Sequence, residues 1–137
     1  MDETAVCNAI STLLSANLPA LRVYPNFQAQ INPPCCVIMP GPNVALKLDT
    51  FDDASTLTLR LELAVEYAQD SSAVAQLQGF LATSGPNSIY AVIHANPRPA
   101  PTVFDSVIAT GFQRYGIREW AGQQYFMATI PLEVLAG

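Results

Sequence analysis

A long alternation of apolar and polar residues runs through the middle of the chain. Leucine, valine and tyrosine take every second position from Leu57 to Tyr67, and polar or small residues fill the positions between them. Because side chains on a β-strand point alternately to its two faces, this pattern predicts a strand with one face on a core and one face in water. A long strand of this kind is typical of an antiparallel or mixed sheet that is covered on one side.

Apolar residues at helical spacing predict three helices. The first covers about residues 2–18 and ends at Pro19, because proline cannot continue a helix. The second follows Asp70–Ser72, whose side-chain oxygens are suited to cap a helix N-terminus. The third covers about residues 89–95, where the preceding Pro86–Ser88 segment favours a helix over a strand.

Further strands are predicted before and after the long one, and the last two of them form a hairpin. The segments are residues 21–27, 35–39, 43–48, 103–117 and 124–135. Gly111 is expected to interrupt the first strand of the hairpin, and Trp120 to Gln123 supply its turn. Pro131 has no N–H group to donate, so we expect its strand to lie at a sheet edge or to bulge there. The predicted fold is therefore α+β: one domain of residues 1–137, with a mixed, mostly antiparallel sheet and helices packed on one face.

Composition points to extra buried surface. Half of the residues are hydrophobic and only 12% are charged, well below the quarter that is usual in soluble domains. We expect such a chain to bury surface against other subunits; the alternative is a compact monomer with an uncharged polar surface. The net charge is −5, and the five arginines and one lysine form no cluster, which argues against tight nucleic-acid binding.

Targeting signals and disulfides are not expected. Met1-Asp2-Glu3 is the reverse of a basic signal-peptide start, and no apolar run approaches the ~20 residues of a membrane span. The three cysteines have no zinc-site spacing, and Cys35 and Cys36 are adjacent in a strand, so they should point to opposite faces. We expect buried free thiols in a reducing cytosol, with no metal and no cofactor.

The residues with catalytic chemistry are few. His94 is the single histidine, and Cys35 or Cys36 with His94 and an acid is a conceivable thiol nucleophile system. Neither cysteine, however, lies at a predicted helix N-terminus, where a thiolate would be stabilised. Glu62 and Glu66 share a strand face with Arg60, which is more typical of an ion-pair row or a subunit contact than of a glycosidase carboxylate pair. No phosphate-binding or dinucleotide motif is present in the sequence.

Two further features are compatible with a contact surface. Asp49, Asp52 and Asp53 lie in an acidic, turn-rich segment without the spacing or glycine of a calcium loop. This segment is interpreted as a solvated loop or a docking loop. Trp120 stands at the predicted hairpin tip, where it either forms an exposed contact or packs back on the sheet.

The order of these elements resembles the small tail-terminator (tail-completion) proteins of long-tailed bacteriophages, especially those that infect actinobacteria. Pro33–Gly41 is similar to the family's proline–apolar–proline–glycine strand. The other matching parts are the N-terminal helix, the alternating strand to Ala68 with Asp70–Ser72 after it, and the hairpin segments 114–117 and 124–134.

The resemblance implies a structural virion protein with no catalytic residues. Such proteins form a hexameric ring that caps the tail tube, ends its polymerisation and joins it to the head-side connector. The implied partners are further copies of the chain, the tail tube protein and the head–tail stopper or connector, while genomic DNA passes through the lumen without specific binding. The implied location is the tail or neck of the virion, and the host cytoplasm during assembly.

The expected contact residues follow from that implication. We expect the loop of Asp49, Asp52 and Asp53 to meet a neighbouring subunit or the tube, and Trp120 to contribute a contact. The polar row is expected to line an intersubunit contact or the lumen; it consists of Arg60, Glu62 and Glu66. Other interpretations are a different head–tail connector or minor tail protein, a small cytosolic α/β enzyme that uses Glu62/Glu66 or Cys36/His94, and a ligand-binding module.

Overall fold

The computed structural model describes residues 3–40, 56–66, 71–100, 103–109 and 111–135. Within these ranges the chain forms three helices and six strands. In chain order they are α1 (Glu3–Asn17), β1 (Arg22–Tyr24), β2 (Cys35–Pro40), β3 (Thr56–Glu66), α2 (Ser71–Leu81), α3 (Ile89–Ala95), β4 (Ser106–Ala109), β5 (Gln113–Trp120) and β6 (Gln123–Leu135). The predicted helices and the predicted strand between Cys35 and Met39 are confirmed. The candidate strand at residues 43–48 and the acidic segment with Asp49, Asp52 and Asp53 lie outside the described residues.

The strands form one mixed sheet with the order β1-β2-β3-β6-β4, and β5 also pairs with β6. β1 and β2 are parallel, and the other pairs are antiparallel. β3 and β6 pair along their whole common length, from Thr56 opposite Leu135 to Glu66 opposite Tyr125. The α+β class with a mixed, mostly antiparallel sheet is confirmed.

The helices cover one side of the sheet, which we call the helix face. The odd-numbered residues of β3 from Leu57 to Val65 are buried there, as the alternation predicts. Side chains of all three helices complete this core, among them Ile10, Leu77 and Ile93. Burying each such side chain contributes roughly 1.5–3 kcal/mol before chain entropy is counted, so this core is the main source of the fold's stability.

The opposite side of the sheet, which we call the second face, is not the open polar surface that the sequence predicts. A smaller buried cluster lies on it, formed by Ile31, Cys35, Val37, Ala64 and Met127. Ile31 belongs to the connection between β1 and β2, so this connection crosses the second face and covers part of it. The expectation of a wet face is wrong for this part of the sheet, because the alternation in β3 does not show that another segment folds over it.

The C-terminal third has three strands, because the break that the sequence predicts near Gly111 divides the first predicted strand into β4 and β5. β4 pairs with Ser106 opposite Leu135, and β5 pairs with Trp120 opposite Gln123, so both strands lie along the same edge of β6. β6 is an interior strand, and the expected edge position of Pro131 is wrong. Pro131 nevertheless lies where the missing N–H group matters little. On the edge of β6 that β4 and β5 share, the described pairing with β5 ends at Thr129 and the pairing with β4 begins at Leu132.

The third helix begins at a well-formed cap. The hydroxyl of Ser88 accepts a hydrogen bond from the backbone N–H of Ala91 at 3.1 Å and donates one to the carbonyl of Ala82. Ser88 therefore satisfies a free N–H group of α3 and also ties this helix to the end of α2. Among the described residues, no helix has both the length and the apolar character that crossing a bilayer requires.

Candidate functional site

A buried carboxylate organises the polar part of the second face. Glu62 is only 2% exposed and lies in the middle of β3. Its Oε2 accepts a hydrogen bond from Nη2 of Arg118 at 2.8 Å, and its Oε1 accepts one from the hydroxyl of Thr129 at 2.9 Å. Nε of Arg60 lies 3.0 Å from the same Oε1. We call Arg60, Glu62, Arg118 and Thr129 the Glu62 cluster.

The Glu62 cluster carries one more positive than negative charge. Nε of Arg118 is buried and has no hydrogen-bond partner among the described residues. Nε of Arg60 is close to the carboxylate, but its angle is too poor for a hydrogen bond, and the Arg60 guanidinium instead donates from Nη1 to the carbonyl of Pro40 at 2.9 Å. A carboxylate removed from water is stable only when charged partners and hydrogen bonds replace its hydration. The cluster is therefore a structural tie between strands.

This cluster changes the interpretation of the predicted polar row. Glu62 offers almost no surface to a partner or a lumen, contrary to the expected solvated face. Arg60 is partly exposed, and Glu66 is exposed at the end of β3. The assignment of this row to a contact surface therefore stays a prediction for Arg60 and Glu66, and Glu62 has a different role.

Trp120 packs back onto the protein. Its indole Nε1 donates a hydrogen bond to the carbonyl of Gln28 at 2.8 Å, and its ring stacks on Phe27 with centroids 5.5 Å apart. Of the two alternatives at the hairpin tip, the packed one is confirmed. Its neighbour Ala121 has φ = 51° and Gly122 has φ = 88°, as a two-residue hairpin turn with positive φ at both positions requires.

A group of exposed apolar side chains lies on β5 and directly before it. Phe112, Tyr115 and Ile117 are 49%, 43% and 50% exposed, and the rings of Phe112 and Tyr115 lie 6.0 Å apart. We call these three residues the β5 patch. The two aromatic residues border a shallow groove of about 410 Å³ whose other wall is the end of α2, with Gln78, Leu81 and Ala82. Contiguous exposed apolar side chains of this kind mark interaction surfaces.

The thiols are not poised for chemistry. Cys7, Cys35 and Cys36 are buried thiols, as predicted. Burial raises the pKa of Cys35 to about 12, with the Arg22 guanidinium lowering it in part. The pKa of Cys36 is also raised, by burial first and then by the nearby Cys35 and Glu62. A nucleophilic cysteine needs the opposite shift, so the geometry does not favour the thiol-enzyme interpretation.

The other candidate groups are separated or occupied. His94 is exposed near the end of α3, where its ring lies 6.4 Å from that of Tyr90, and Cys36 is buried on the helix face. Both oxygens of Glu62 already accept hydrogen bonds, one from Arg118 and one from Thr129. Within the described ranges no group of three or more histidine, cysteine or acidic side chains is arranged to hold a metal ion.

Comparison with known proteins adds no assignment. Neither a scan against models of protein families nor a search of curated proteins finds a match to this chain.

Two features of the site could not be recognised in the sequence, and a third is only partly visible there. Arg118 and Thr129 meet Glu62 only through the strand register, which places Thr129 opposite Glu62. The contact of Trp120 with the Phe27–Gln28 segment joins residues more than ninety positions apart. The β5 patch gives a partial signal, since Phe112, Tyr115 and Ile117 recur within six residues beside the predicted break at Gly111.

Proposed function

We propose that this chain is a structural component of a bacteriophage tail: the terminator that assembles as a ring on the end of the tail tube. The ring ends tube polymerisation, because one of its faces matches the last tube ring and the other does not template a further one. The ring side that does not contact the tube then receives the head-side connector. The proposed partners are other copies of this chain, the tail tube protein and the connector, and the proposed location is the neck of the virion.

The observation that carries this proposal is the β5 patch. A chain with only 12% charged residues places three large apolar side chains on β5 and directly before it, each about half exposed. A monomer gains nothing from this arrangement, whereas a neighbouring subunit that covers it removes apolar surface from water. The resemblance described from the sequence makes further copies of the chain the proposed occupant of this surface.

The two ends of the sheet support a head-to-tail contact. One end is β1, a strand of three residues, and the other is formed by β4 and β5 on the shared edge of β6. Because these ends differ, a contact between them joins unlike surfaces, and repetition of such a contact closes into a ring when the rotation per subunit fits. A standard interface buries about 800 Å² on each partner. This is a modest part of the solvent-accessible surface of one chain, which is 7212 Å².

The charge of the chain is compatible with a channel for DNA. Six copies would carry about −30, six times the −5 of one chain. An acidic or neutral lumen offers phosphates no counter-charge, so DNA slides through it without specific binding.

Native mass spectrometry and negative-stain electron microscopy of the full chain test the proposal, alone and with polymerising tail tube protein. We expect a closed ring, alone or on tube ends, and shorter tubes as the chain is added. A chain that stays monomeric with tubes and leaves their length distribution unchanged would contradict the proposal. A ring that binds a connector but not tube ends would instead assign it to a stopper.

Two glutamate variants test the role of the β5 patch. Ile117→Glu places a charge in the patch and should abolish ring formation or tube capping while the far-UV circular dichroism spectrum is preserved. Ala75→Glu is the control, because Ala75 is also exposed but lies on α2, which packs over β3 and β6 and forms neither end of the sheet. If both variants assemble equally well, the β5 patch is not part of the subunit interface.

Reversal of charge at Asp52 and Asp53 tests the predicted docking loop separately. We expect impaired docking or assembly with folding intact, because the sequence predicts a solvated loop here and surface substitutions usually change stability by less than about 0.5 kcal/mol. Unaltered tail length and infectivity in this variant would count against that loop as a contact.

A further inference from the structure

The ten-residue connection Pro25–Pro34, which we call the strap, covers the second face with few anchors. Ile31 is the strap side chain that is buried, and it packs with Cys35, Val37 and Met127. The other strap residues are exposed or half-buried. In contrast, the helix face is covered by three helices with a continuous core.

Among the described residues, one side chain from the far end of the sequence holds the middle of the strap. Trp120 donates its indole N–H to the carbonyl of Gln28 and stacks on Phe27. The ends of the strap are tied near β1: the backbone N–H of Arg22 donates to the carbonyl of Pro34 at 3.1 Å, and the Tyr24 hydroxyl accepts from the N–H of Asn32 at 3.2 Å. The ends are thus fixed to the sheet, whereas the middle depends on Trp120 and Ile31.

We propose that the strap is a conformational gate that opens as a unit while the helix-face core stays folded, and that Trp120 is its latch. Segments with few buried apolar contacts open locally at a lower free energy than the global unfolding of the chain. Opening withdraws Ile31 from the second face and gives solvent access to Cys35. The gate is a property of the isolated chain and does not depend on the proposed ring.

Two adjacent cysteines provide an internal comparison for the gate. Cys35 lies under the strap, and Cys36 lies on the helix face, although they are neighbours in the sequence. Strap opening therefore exposes the thiol of Cys35 and leaves that of Cys36 protected, whereas global unfolding exposes both. A difference in their labelling rates measures the gate directly.

The test is alkylation of the folded full chain with iodoacetamide at pH 8, with the label assigned to each cysteine by tandem mass spectrometry. We expect Cys35 to react faster than Cys36. The Trp120→Ala variant should increase the Cys35 rate about tenfold, because it removes a hydrogen bond and an aromatic pair from the strap. The rate at Cys36 should stay unchanged. Tyr115→Ala is the control, since it removes an aromatic ring from the same hairpin without touching the strap.

Equal rates at Cys35 and Cys36 in the native chain would overturn the gate, as would a Trp120→Ala variant that raises both rates alike. A second measurement needs no variant. Trp120 is the single tryptophan, so its fluorescence reports on the latch. We expect its emission to shift to the red at a lower urea concentration than the loss of helical circular dichroism, and coincident transitions would contradict independent opening.

Discussion

Glu62 and Arg118 form an ion pair between two strands that do not pair with each other. Glu62 is on β3 and Arg118 is on β5, and these strands lie along opposite edges of β6. Their side chains meet above β6 at 2.8 Å. Thr129 of β6 lies beneath this contact, donating to Glu62 and accepting from Nη2 of Arg118 at 3.1 Å. One carboxylate thus links three strands on the second face.

Removal of this carboxylate should destabilise the fold strongly. Glu62→Ala leaves two arginines without a counter-charge, and the side chain of Arg118 is only 18% exposed. Breaking a fully buried pair costs about 3–5 kcal/mol, and partial exposure of the arginines reduces this, so we expect the free energy of unfolding to fall by about 2–4 kcal/mol. Urea denaturation measures it. Glu66→Ala, on the same strand face but exposed, should change stability by less than about 0.5 kcal/mol.

The same cluster predicts strong coupling between its members. Once Glu62 has been replaced by alanine, Arg118→Met should cost little more, or restore stability, because it removes the uncompensated charge. A double-mutant cycle should give a coupling energy of about 0.5–3 kcal/mol. Additive effects of the two substitutions would show that the ion pair does not tie β5 to β3.

The elements of the fold could be predicted from local patterns, but their pairing could not. The alternation around Leu61 and the helix that follows Pro86–Ser88 depend on neighbouring residues, and both are confirmed in the structure. The interior position of Pro131 depends on how β4 and β5 divide one edge of β6, which is a property of long-range register. A sequence shows which face of a strand is apolar, not which other segment covers its polar face.

The site was less predictable for the same physical reason. An acidic residue at a polar position of a strand is usually solvated. Glu62 is buried because the strand register places Thr129 opposite it and because the side chain of Arg118 extends to its carboxylate. The likeness of Cys36 and His94 to a thiol pair also rested on residue type alone, and the fold places Cys36 in the helix-face core and His94 at an exposed helix end.

Leu61 should be among the least tolerant positions of the helix-face core. It is fully buried in the middle of β3. Leu61→Ala should lower the free energy of unfolding by about 2–5 kcal/mol through lost burial and the cavity left behind, and Leu61→Asp should unfold the domain because it buries an unpaired charge. Ile108→Ala, at an exposed position, is the control. Thermal unfolding with a similar midpoint for both alanine variants would show that Leu61 is not packed as described.

The cap of α3 should also contribute measurably. Ser88→Ala removes the acceptor for the Ala91 N–H and the donor to the Ala82 carbonyl, within a site that is completely buried. We expect a loss of about 1–2 kcal/mol in urea denaturation, at the upper part of the range for helix caps. Ser84→Ala, at an exposed position in the connection after α2, should be nearly neutral. A neutral Ser88→Ala variant would mean that water replaces both hydrogen bonds.

Alkaline pH should unfold the chain through its buried acids. Burial raises the pKa of Cys35 from 9.0 to about 12 and that of Tyr90 from 10.0 to about 12, so the folded state holds protons that the unfolded state has already released. The stability that these groups contribute is complete below pH 9 and is lost as the pH rises towards 12. Each group lowers the free energy of unfolding by about 1.4 kcal/mol per pH unit between its ordinary pKa and its raised pKa. Urea midpoints should therefore be flat between pH 7 and 8 and should fall steeply above pH 9. The Cys35→Ala and Tyr90→Phe variants should each show a shallower fall than the native chain. An unchanged slope in both would mean that these groups titrate alike in the folded and unfolded states.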